Sequence, residues 1–461
     1  MLRASTLFHL ALLASASTVL AAAPSCGLDN KCPSATPCCS QYGSCGVGAY
    51  CLGGCDPRSS FQLDSCVPAP VCQSKSHTFE DLSKVSPNTK YLGDADSADW
   101  VSSGQPVAYN NNVLLTMATE TVGTLLASTS YMWYGNVQAK FKTSRGAGVV
   151  TAFILLSDVK DEIDYEFVGV DLEQAQSNYY FQGIPDYANG VNISLSDTFN
   201  NYHTYEIDWT PDTVTWKIDG QVGRTLKKSD TWNATASQWK YPQTPARVQL
   251  SLWPAGLSSN GKGTVDWAGG LVDWNSQDIQ TNGYYYASFE SVTISCYNAT
   301  KAPGTNNGVS YTYNGYAGTN DTVVDGKNPT VLASFQGTGT DMDAGKPVKA
   351  SGTGSATMAS ATAGAESIPG ISGGDPAGVD THSSPDSNAA SIAAAATGTP
   401  VDNSGSGTDS ASNSGGTGFS QGSSSGTGTS KSGAETLVGQ EKVLKGSFFA
   451  GIVAVIAMMA L

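Results

Sequence analysis

The chain has 461 residues, a length that allows about two to four domains. It carries 24 Lys and Arg residues against 39 Asp and Glu residues, which gives a net charge of −15. This acidic chain lacks basic clusters that would neutralise phosphates, so nucleic acid is not expected as a partner. The 4 histidines are scattered along the chain, which argues against a histidine-based metal centre.

Residues 1–23 have the pattern of a secretory signal peptide. Arg3 provides the positive start, residues 7–20 the apolar stretch, and residues 21–23 a small-residue cleavage site. A single-pass membrane anchor is the alternative. The apolar stretch is short for a membrane span, however, and a cysteine-rich segment follows at once, so we expect removal on secretion.

Residues 24–70 contain a dense cluster of cysteines, eight of them between Cys26 and Cys66. A segment this short cannot maintain a hydrophobic core without cross-links, and in a secreted chain the density indicates a disulfide framework. Zinc is the alternative, although no histidine lies in this segment.

The cysteine cluster resembles the hevein-type chitin-binding module. The similarity rests on adjacent Cys38 and Cys39, the Ser-Gln-Tyr-Gly stretch that follows them, and the Tyr50-Cys51 pair. The resemblance implies that sugar binds to Ser40, Tyr42 and Tyr50. It also implies four disulfides, namely Cys26–Cys39, Cys32–Cys45, Cys38–Cys51 and Cys55–Cys66.

Two departures from the hevein pattern weaken the expected affinity for chitin. Ser44 stands where many members carry a further aromatic residue, and the loop between Cys45 and Cys51 is shorter than usual. One lost ring contact removes about 1 kcal/mol. A disulfide-rich spacer without a ligand is the alternative interpretation.

Residues 72–300 contain all nine tryptophans and many short alternating runs. In residues 205–209 and 214–218 every second residue is apolar, with Gly, Pro and Asp turns between the runs. Such spacing predicts an all-β sandwich. Cys72 and Cys296 bracket this unit and are expected to form a disulfide.

The most informative stretch is residues 161–167, Asp-Glu-Ile-Asp-Tyr-Glu-Phe. Read as a strand, it places Glu162, Asp164 and Glu166 on one face. Three acids on one face repel each other, so a purely structural strand gains nothing from them. Retaining glycoside cleavage, in contrast, requires two carboxyl groups of different pKa across one bond. A solvated acidic strand or a calcium site is the alternative.

This stretch resembles the active-site strand of glycoside hydrolase family sixteen, whose pattern is Glu-x-Asp-x-Glu. The resemblance implies a β-jelly-roll fold, with Glu162 as the nucleophile, Asp164 as the assisting acid and Glu166 as the general acid and base. The extra residue that laminarinase-like members carry before the second Glu is absent here.

With the hevein-type segment in front, the whole chain resembles the fungal Crh chitin–glucan transglycosylases of the cell wall. That resemblance implies retaining cleavage of chitin β-1,4 bonds and transfer to a β-1,3- or β-1,6-glucan acceptor, without a cofactor or a metal. A plain hydrolase on chitin or β-glucan and a wall-anchored lectin or adhesin are the alternatives. We expect a monomer.

Three further residues are expected to bind substrate. Trp253 lies opposite the apolar face formed by Val248, Leu250 and Leu252, and is placed under a sugar subsite. Thr264 and Arg224 fall in stretches that resemble donor-site segments of the family. A core tryptophan and a solvated arginine are the alternatives.

After residue 300 the composition shifts to Ser, Thr, Gly and Ala, and we expect a disordered stalk over residues 301–432. Its hydroxyl density is typical of an O-glycosylated stalk, with a plain linker as the alternative. Sequons predict N-glycosylation at Asn192, Asn233, Asn298 and Asn320.

Residues 433–461 have the pattern of a glycosylphosphatidylinositol anchor signal. Small residues around Gly433 are followed by a polar spacer and by the apolar tail 447–461. We expect attachment at Gly433, removal of the tail, and a protein held at the outer face of the plasma membrane and in the cell wall.

Overall fold

The computed structural model describes residues 23–346. Residues 1–22 of the expected signal peptide, residues 347–432 of the expected stalk and the anchor signal with Gly433 lie outside the described residues, so those expectations stay predictions.

The described part of the chain consists mainly of β-strands. In chain order the strands are β1 (Cys38–Cys39), β2 (Cys45–Gly46), β3 (Ala69–Pro70), β4 (Lys75–Thr78), β5 (Val85–Pro87), β6 (Trp100–Ser103), β7 (Pro106–Tyr109), β8 (Asn112–Ala118), β9 (Thr124–Ser128), β10 (Gly135–Lys142), β11 (Val149–Ser157), β12 (Glu162–Val168), β13 (Gln174–Tyr180), β14 (Val191–Ser194), β15 (His203–Trp209), β16 (Thr213–Ile218), β17 (Gln221–Lys227), β18 (Trp232–Asn233), β19 (Gln238–Trp239), β20 (Ala246–Pro254), β21 (Tyr284–Cys296), β22 (Ser310–Tyr313) and β23 (Val323–Gly326).

Helices are few and short in this region. The α-helices are α1 (Lys262–Trp267) and α2 (Gln277–Asn282), and the 3-10 turns are Gly48–Cys51, Leu63–Ser65, Tyr187–Asn189, Lys228–Thr231 and Asn320–Thr322. No helix within residues 23–346 has the length and apolar character needed to cross a membrane.

Two eight-stranded sheets form a β-jelly-roll sandwich, which confirms the predicted fold class. Sheet A has the order β17-β16-β15-β10-β21-β8-β7, with β4 also paired to β21. Sheet B has the order β14-β13-β12-β11-β20-β9-β6-β5. Neighbouring strands are antiparallel except β5 and β6.

The main core lies between the two sheets and is rich in aromatic rings. The alternating residues Tyr205, Ile207 and Trp209 of β15 are buried, as the period-two pattern predicts. Phe141 of sheet A meets Phe167 of sheet B edge to face, with ring centroids 5.4 Å apart. This packing leaves the opposite side of sheet B free to carry polar groups.

Five disulfides are present, and their partners are those expected from the sequence. Four lie in the N-terminal segment: Cys26–Cys39, Cys32–Cys45, Cys38–Cys51 and Cys55–Cys66. The fifth, Cys72–Cys296, joins the two ends of the sandwich. We call residues 24–68 the module.

The structure corrects the expected start of the stalk at residue 301. Residues 309–346, here called the wrap, are folded: β22 pairs with both β23 and β3. Leu332 is buried, and its backbone N–H donates to the carbonyl of Leu92. The wrap is ordered because its buried apolar residues, Tyr311 among them, outweigh its Ser- and Gly-rich composition.

Candidate active site

The three acids of β12 lie together on one side of sheet B. Ile163, Tyr165 and Phe167 point into the core between the sheets and are almost completely buried. Because side chains alternate along a strand, Glu162, Asp164 and Glu166 point to the opposite side, which we call the acid face. The strand lies between β11 and β13, near the middle of the sheet.

Hydrogen bonds hold the start of β12 in place. The buried carboxylate of Asp161 accepts hydrogen bonds from the backbone N–H of Gln182 at 3.0 Å and of Gln243 at 2.9 Å. It also accepts one from Oγ1 of Thr244 at 2.7 Å. Asp161 was not singled out from the sequence, although it directly precedes Glu162. It is a positioning residue for the acid strand.

The three acidic side chains are buried, at 3%, 1% and 5% exposure for Glu162, Asp164 and Glu166. Oε1 of both glutamates and both carboxyl oxygens of Asp164 have no hydrogen-bond partner within residues 23–346. Unpartnered buried polar atoms are costly, so a purely structural strand would not retain them. Their placement favours a site that a polar ligand completes.

Burial and mutual repulsion raise the pKa values of these three carboxyl groups. Burial, followed by the charges of Asp164 and Glu166, raises the pKa of Glu162 well above its usual value. Burial and the charge of Asp164 do the same to the pKa of Glu166. The pKa of Asp164 rises to about 7 through burial, opposed by the positive charge of Arg224. Ionising one carboxyl therefore keeps a proton on another.

Arg224 does not lie on the acid face, which differs from its expected place beside the sugar. It is paired with the buried Trp216 across β16 and β17, so its side chain points to the core side at the sandwich edge. Its guanidinium donates to the carbonyl of Ser177 at 2.8 Å and lies 4.5 Å from the Trp216 ring centroid. Arg224 acts on the site through its charge, which favours ionised Asp164.

Trp253 lies at the Glu166 end of the acid face, and Thr264 is a buried residue of α1, the helix that ends at Trp267. Trp253 is aligned with Val150 of β11, and it stacks on Trp267 with ring centroids 6.2 Å apart. Trp267 in turn donates from Nε1 to Gln176 at 2.8 Å, and Gln176 stands opposite Glu166 on β13.

Both predicted binding residues carry buried polar atoms that lack partners. Nε1 of Trp253 and Oγ1 of Thr264 have no hydrogen-bond partner among the described residues. The core residue Trp100 also has an Nε1 atom without a partner among the described residues, and Trp253 is completely buried in the apolar cluster that contains Tyr42 and Leu52. The structure therefore places Trp253 as a core tryptophan and not as an open sugar platform. Gln176 and Trp267 were not predicted; alternation along β13 and helix spacing from Thr264 were the available signals.

The module residues expected to bind chitin are buried in this structure. Ser40, Tyr42 and Tyr50 have exposures of 5%, 5% and 7%. Burial raises the pKa of Tyr42. Tyr42 and Leu52 belong to the same apolar cluster as Leu125 of sheet B. The three residues are therefore not displayed as an open sugar platform.

The four sequons lie at accessible or partly accessible positions. Asn192 and Asn298 are exposed, and Asn233 and Asn320 are half-buried. Asn192 is opposite Gln176, which is itself opposite Glu166, so Asn192 belongs to the acid face at its edge strand. N-glycosylation at these sites stays a prediction.

The cysteines offer no metal centre. The Sγ atoms of Cys26, Cys32 and Cys39 lie within 4.8 Å of one another, but each is bonded in a disulfide. Such sulfurs are not thiolates and do not ligate metal.

Comparison with known proteins identifies the chain's family. The model of glycosyl hydrolases family 16 matches residues 94–269. Crh-like protein 3 of Botryotinia fuckeliana (strain B05.10) is 62% identical over 453 residues, which cover 98% of either chain. The chain belongs to the Crh-like proteins of glycosyl hydrolase family 16.

Another Crh-like protein shows the same relationship over a shorter span, and the chain is also similar to a solved structure. Crh-like protein 2 of Aspergillus fumigatus is 54% identical over 77% of this chain and 81% of its own length. A structure described as Crh5 transglycosylase in complex with NAG is 31% identical, covers 59% of this chain and 99% of that one, and has a TM-score of 0.47. As a member of this family, the protein is a glycosidase-type enzyme.

Proposed function

We propose that the protein is a retaining cell-wall transglycosylase, which cleaves β-1,4 bonds of chitin and transfers the cleaved chain to a β-glucan acceptor. The observation that carries the proposal is the placement of Glu162, Asp164 and Glu166 on one buried face of β12 in a Crh-like chain.

In the first step, the carboxylate of Glu162 attacks the anomeric carbon of the donor sugar. The carboxyl group of Glu166 donates its proton to the departing glycosidic oxygen. One C–O bond breaks, an ester to Glu162 forms, and the leaving chain departs with a hydroxyl group. The raised pKa of Glu166 supports this role, because a general acid must hold its proton at the working pH.

In the second step, the carboxylate of Glu166 removes a proton from an acceptor hydroxyl. The acceptor oxygen attacks the anomeric carbon and releases Glu162. Two inversions retain the β-configuration, and one β-linkage replaces another. With a β-1,3- or β-1,6-glucan acceptor the product is a chitin–glucan cross-link, whereas water gives hydrolysis.

Asp164 distributes charge between the two glutamates. Burial raises its pKa to about 7, and the positive charge of Arg224 opposes that rise. When Glu162 ionises for attack, Asp164 takes up the proton and donates a hydrogen bond to the carboxylate. Asp164 keeps this proton while the ester exists and returns it to the Glu162 carboxylate once the acceptor has released it.

The proposed cellular setting follows from the sequence signals at the two ends. A secreted chain with an anchor signal reaches the outer face of the plasma membrane and the cell wall, where chitin and glucan meet. Attachment at Gly433, a monomeric state and direct action on both polymers belong to this proposal.

One assay separates the proposed activity from its alternatives. The purified protein is incubated with chito-oligosaccharide donors and a fluorescent β-1,3-glucan oligosaccharide, and products are resolved by chromatography and mass. Fluorescent hybrid chains are expected. Shortened donor without hybrid product would instead establish a hydrolase, and unchanged donor and acceptor would leave only a carbohydrate-binding role.

A further inference from the structure

The two glutamates define the direction in which a polysaccharide crosses the acid face. Their carboxyl groups approach one glycosidic bond from opposite sides. Glu162 and Glu166 lie along the same strand, so the sugar chain passes between them and runs across the strands of sheet B. On one side of the bond it follows β13 and β14, and on the other it follows β11 and β20.

The module lies across the second of these two paths. On β20, Arg247 and Gln249 are aligned with Glu162 and Asp164 through β11, so they share the acid face. Oε1 of Gln41 in the module accepts hydrogen bonds from Arg247 at 2.8 Å and from Gln249 at 3.3 Å. All three side chains are buried. The position directly in line with the scissile bond is therefore occupied by protein.

Polar contacts fix the module beside the acid strand. The backbone N–H of Gly54 donates to Oδ1 of Asp158 at 2.9 Å, in the turn that joins β11 to β12. Arg58 donates to the carbonyl of Val159 at 2.8 Å and to Gln182 at 3.0 Å. Arg58 and Asp158 are both buried. These buried charged groups bind the module rigidly to sheet B. A flexibly tethered anchor would not make such contacts.

The wrap holds the module from its other side. The backbone N–H of Gly48 donates to the carbonyl of Gly337 at 2.8 Å, and that of Gly339 donates to the carbonyl of Ser65 at 2.8 Å. A Cβ atom on Gly48 would lie 2.2 Å from the carbonyl oxygen of Phe335, so the backbones are in close contact. The module is thus enclosed between sheet B and the wrap.

We propose that the module is the end wall of the sugar-binding cleft and does not act as an independent chitin anchor. This inference rests on the proposed function. Two strand spacings separate β12 from β20, a distance of about 10 Å. A path of that length accommodates at most about two sugar residues, so we expect the enzyme to cut close to one end of a bound chain.

The cleavage pattern of a defined donor tests the wall. Chito-octaose labelled at its reducing end is incubated with the protein, and every fragment is identified by mass. We expect one of the two portions flanking the cut to be no longer than about two sugars. Gln41→Ala shortens the side chain that crosses the path, and we expect fragments one sugar longer on that side.

A matched substitution and an inactive variant complete the test. Gln221→Ala, an exposed glutamine on the edge strand β17, should leave the pattern unchanged. In the Glu162→Gln background, Tyr42→Ala should not lower retention on insoluble chitin by more than twofold. Cleavage spread through the middle of the octamer would contradict the proposal that the module closes the cleft. At least tenfold loss of retention with Tyr42→Ala would contradict it as well, because the module would then bind chitin itself. A lack of any product would instead count against the proposed function.

Discussion

The indole Nε1 of Trp216 donates a hydrogen bond to the backbone carbonyl of Asp164 at 2.9 Å, across the interior of the sandwich. Trp216 belongs to sheet A and is completely buried, whereas Asp164 is the central acid of sheet B. The acid strand is thus held from its core side at the residue between the two glutamates.

We expect Trp216→Phe to loosen this strand without unfolding the protein. Loss of the hydrogen bond and part of the ring should cost about 2 kcal/mol of stability. The resulting misplacement of the acids should lower kcat about tenfold, with a smaller change in KM. Steady-state kinetics and thermal unfolding measure both effects. A stability loss with unchanged kcat would show that the contact does not position the site.

The raised pKa of the buried Asp158 carboxyl group predicts a protein that is less stable at neutral than at acidic pH. Burial raises the pKa of this carboxyl to about 6, although Tyr131 and Gly54 donate hydrogen bonds to it. A raised folded-state pKa favours the protonated form, so its stabilising effect is complete below about pH 4 and is lost as the pH rises through 6. The loss amounts to at most about 3 kcal/mol.

Asp158→Asn removes the ionisation while keeping an oxygen that accepts both hydrogen bonds. Unfolding midpoints of the variant and the wild type should be similar near pH 4 and diverge as the pH rises to about 7, above which the variant stays more stable. Part of the wild-type decline should persist, because burial also raises the pKa of Asp161 to about 6. Parallel curves across this range would contradict the assignment.

The charge of Arg224 should affect the pH dependence of kcat/KM, although Arg224 does not contact the substrate. Its charge opposes the upward shift of the Asp164 pKa. Arg224→Met should therefore raise that pKa further and move the limb of the kcat/KM profile set by the acids to higher pH. Arg224→Lys retains the charge and should move it less. Identical pH profiles of kcat/KM for Arg224→Met and the wild type would exclude an electrostatic role of Arg224.

Because the wrap packs on the rest of the enzyme, a stable fragment should extend to residue 346. Residues 24–346 include every described strand, whereas residues 24–300 lack β22 and β23 and expose the apolar surface under Tyr311 and Leu332. We expect the shorter fragment to unfold at least about 5 °C lower. Equal unfolding temperatures for the two fragments would show that the wrap contributes nothing to stability.

The acid strand was predictable because its pattern is local. Ile163, Tyr165 and Phe167 alternate with the acids, and one period of two assigns both faces. The same alternation placed Gln249 and Trp253 on the opposite face of β20 from Leu250. Strand periodicity carried these assignments because each depends only on neighbours in the sequence.

Arg224 was expected beside the sugar because its segment resembles a donor-site segment of the family, and a β-bulge, which is not visible in the sequence, turns it to the core side. A regular hairpin at the turn of Asp219 and Gly220 would pair Trp216 with Gly223. The register shifts between Trp216 and Lys217, so Trp216 pairs with Arg224 instead. One extra residue in a strand reverses the face of every side chain beyond it.

The position of the module against sheet B could not be predicted from the sequence, for a different reason. Gln41 and Arg247 are 206 residues apart, and no local pattern links a disulfide-rich segment to one face of a distant strand. The wrap left a weaker signal. Val309, Tyr311 and Tyr313 alternate as in a strand, but the surrounding Ser, Thr and Gly residues obscured that short run.

The most direct test of the central claim is hybrid-product formation by Glu162→Gln, measured with chito-oligosaccharide donor and fluorescent β-1,3-glucan acceptor. The matched control is Glu173→Gln, at an exposed glutamate. The account predicts at least about a 1,000-fold loss of both transfer and hydrolysis for Glu162→Gln, with folding retained and wild-type rates for the control. Substantial transfer by Glu162→Gln would contradict the assignment of the nucleophile and the mechanism built on it.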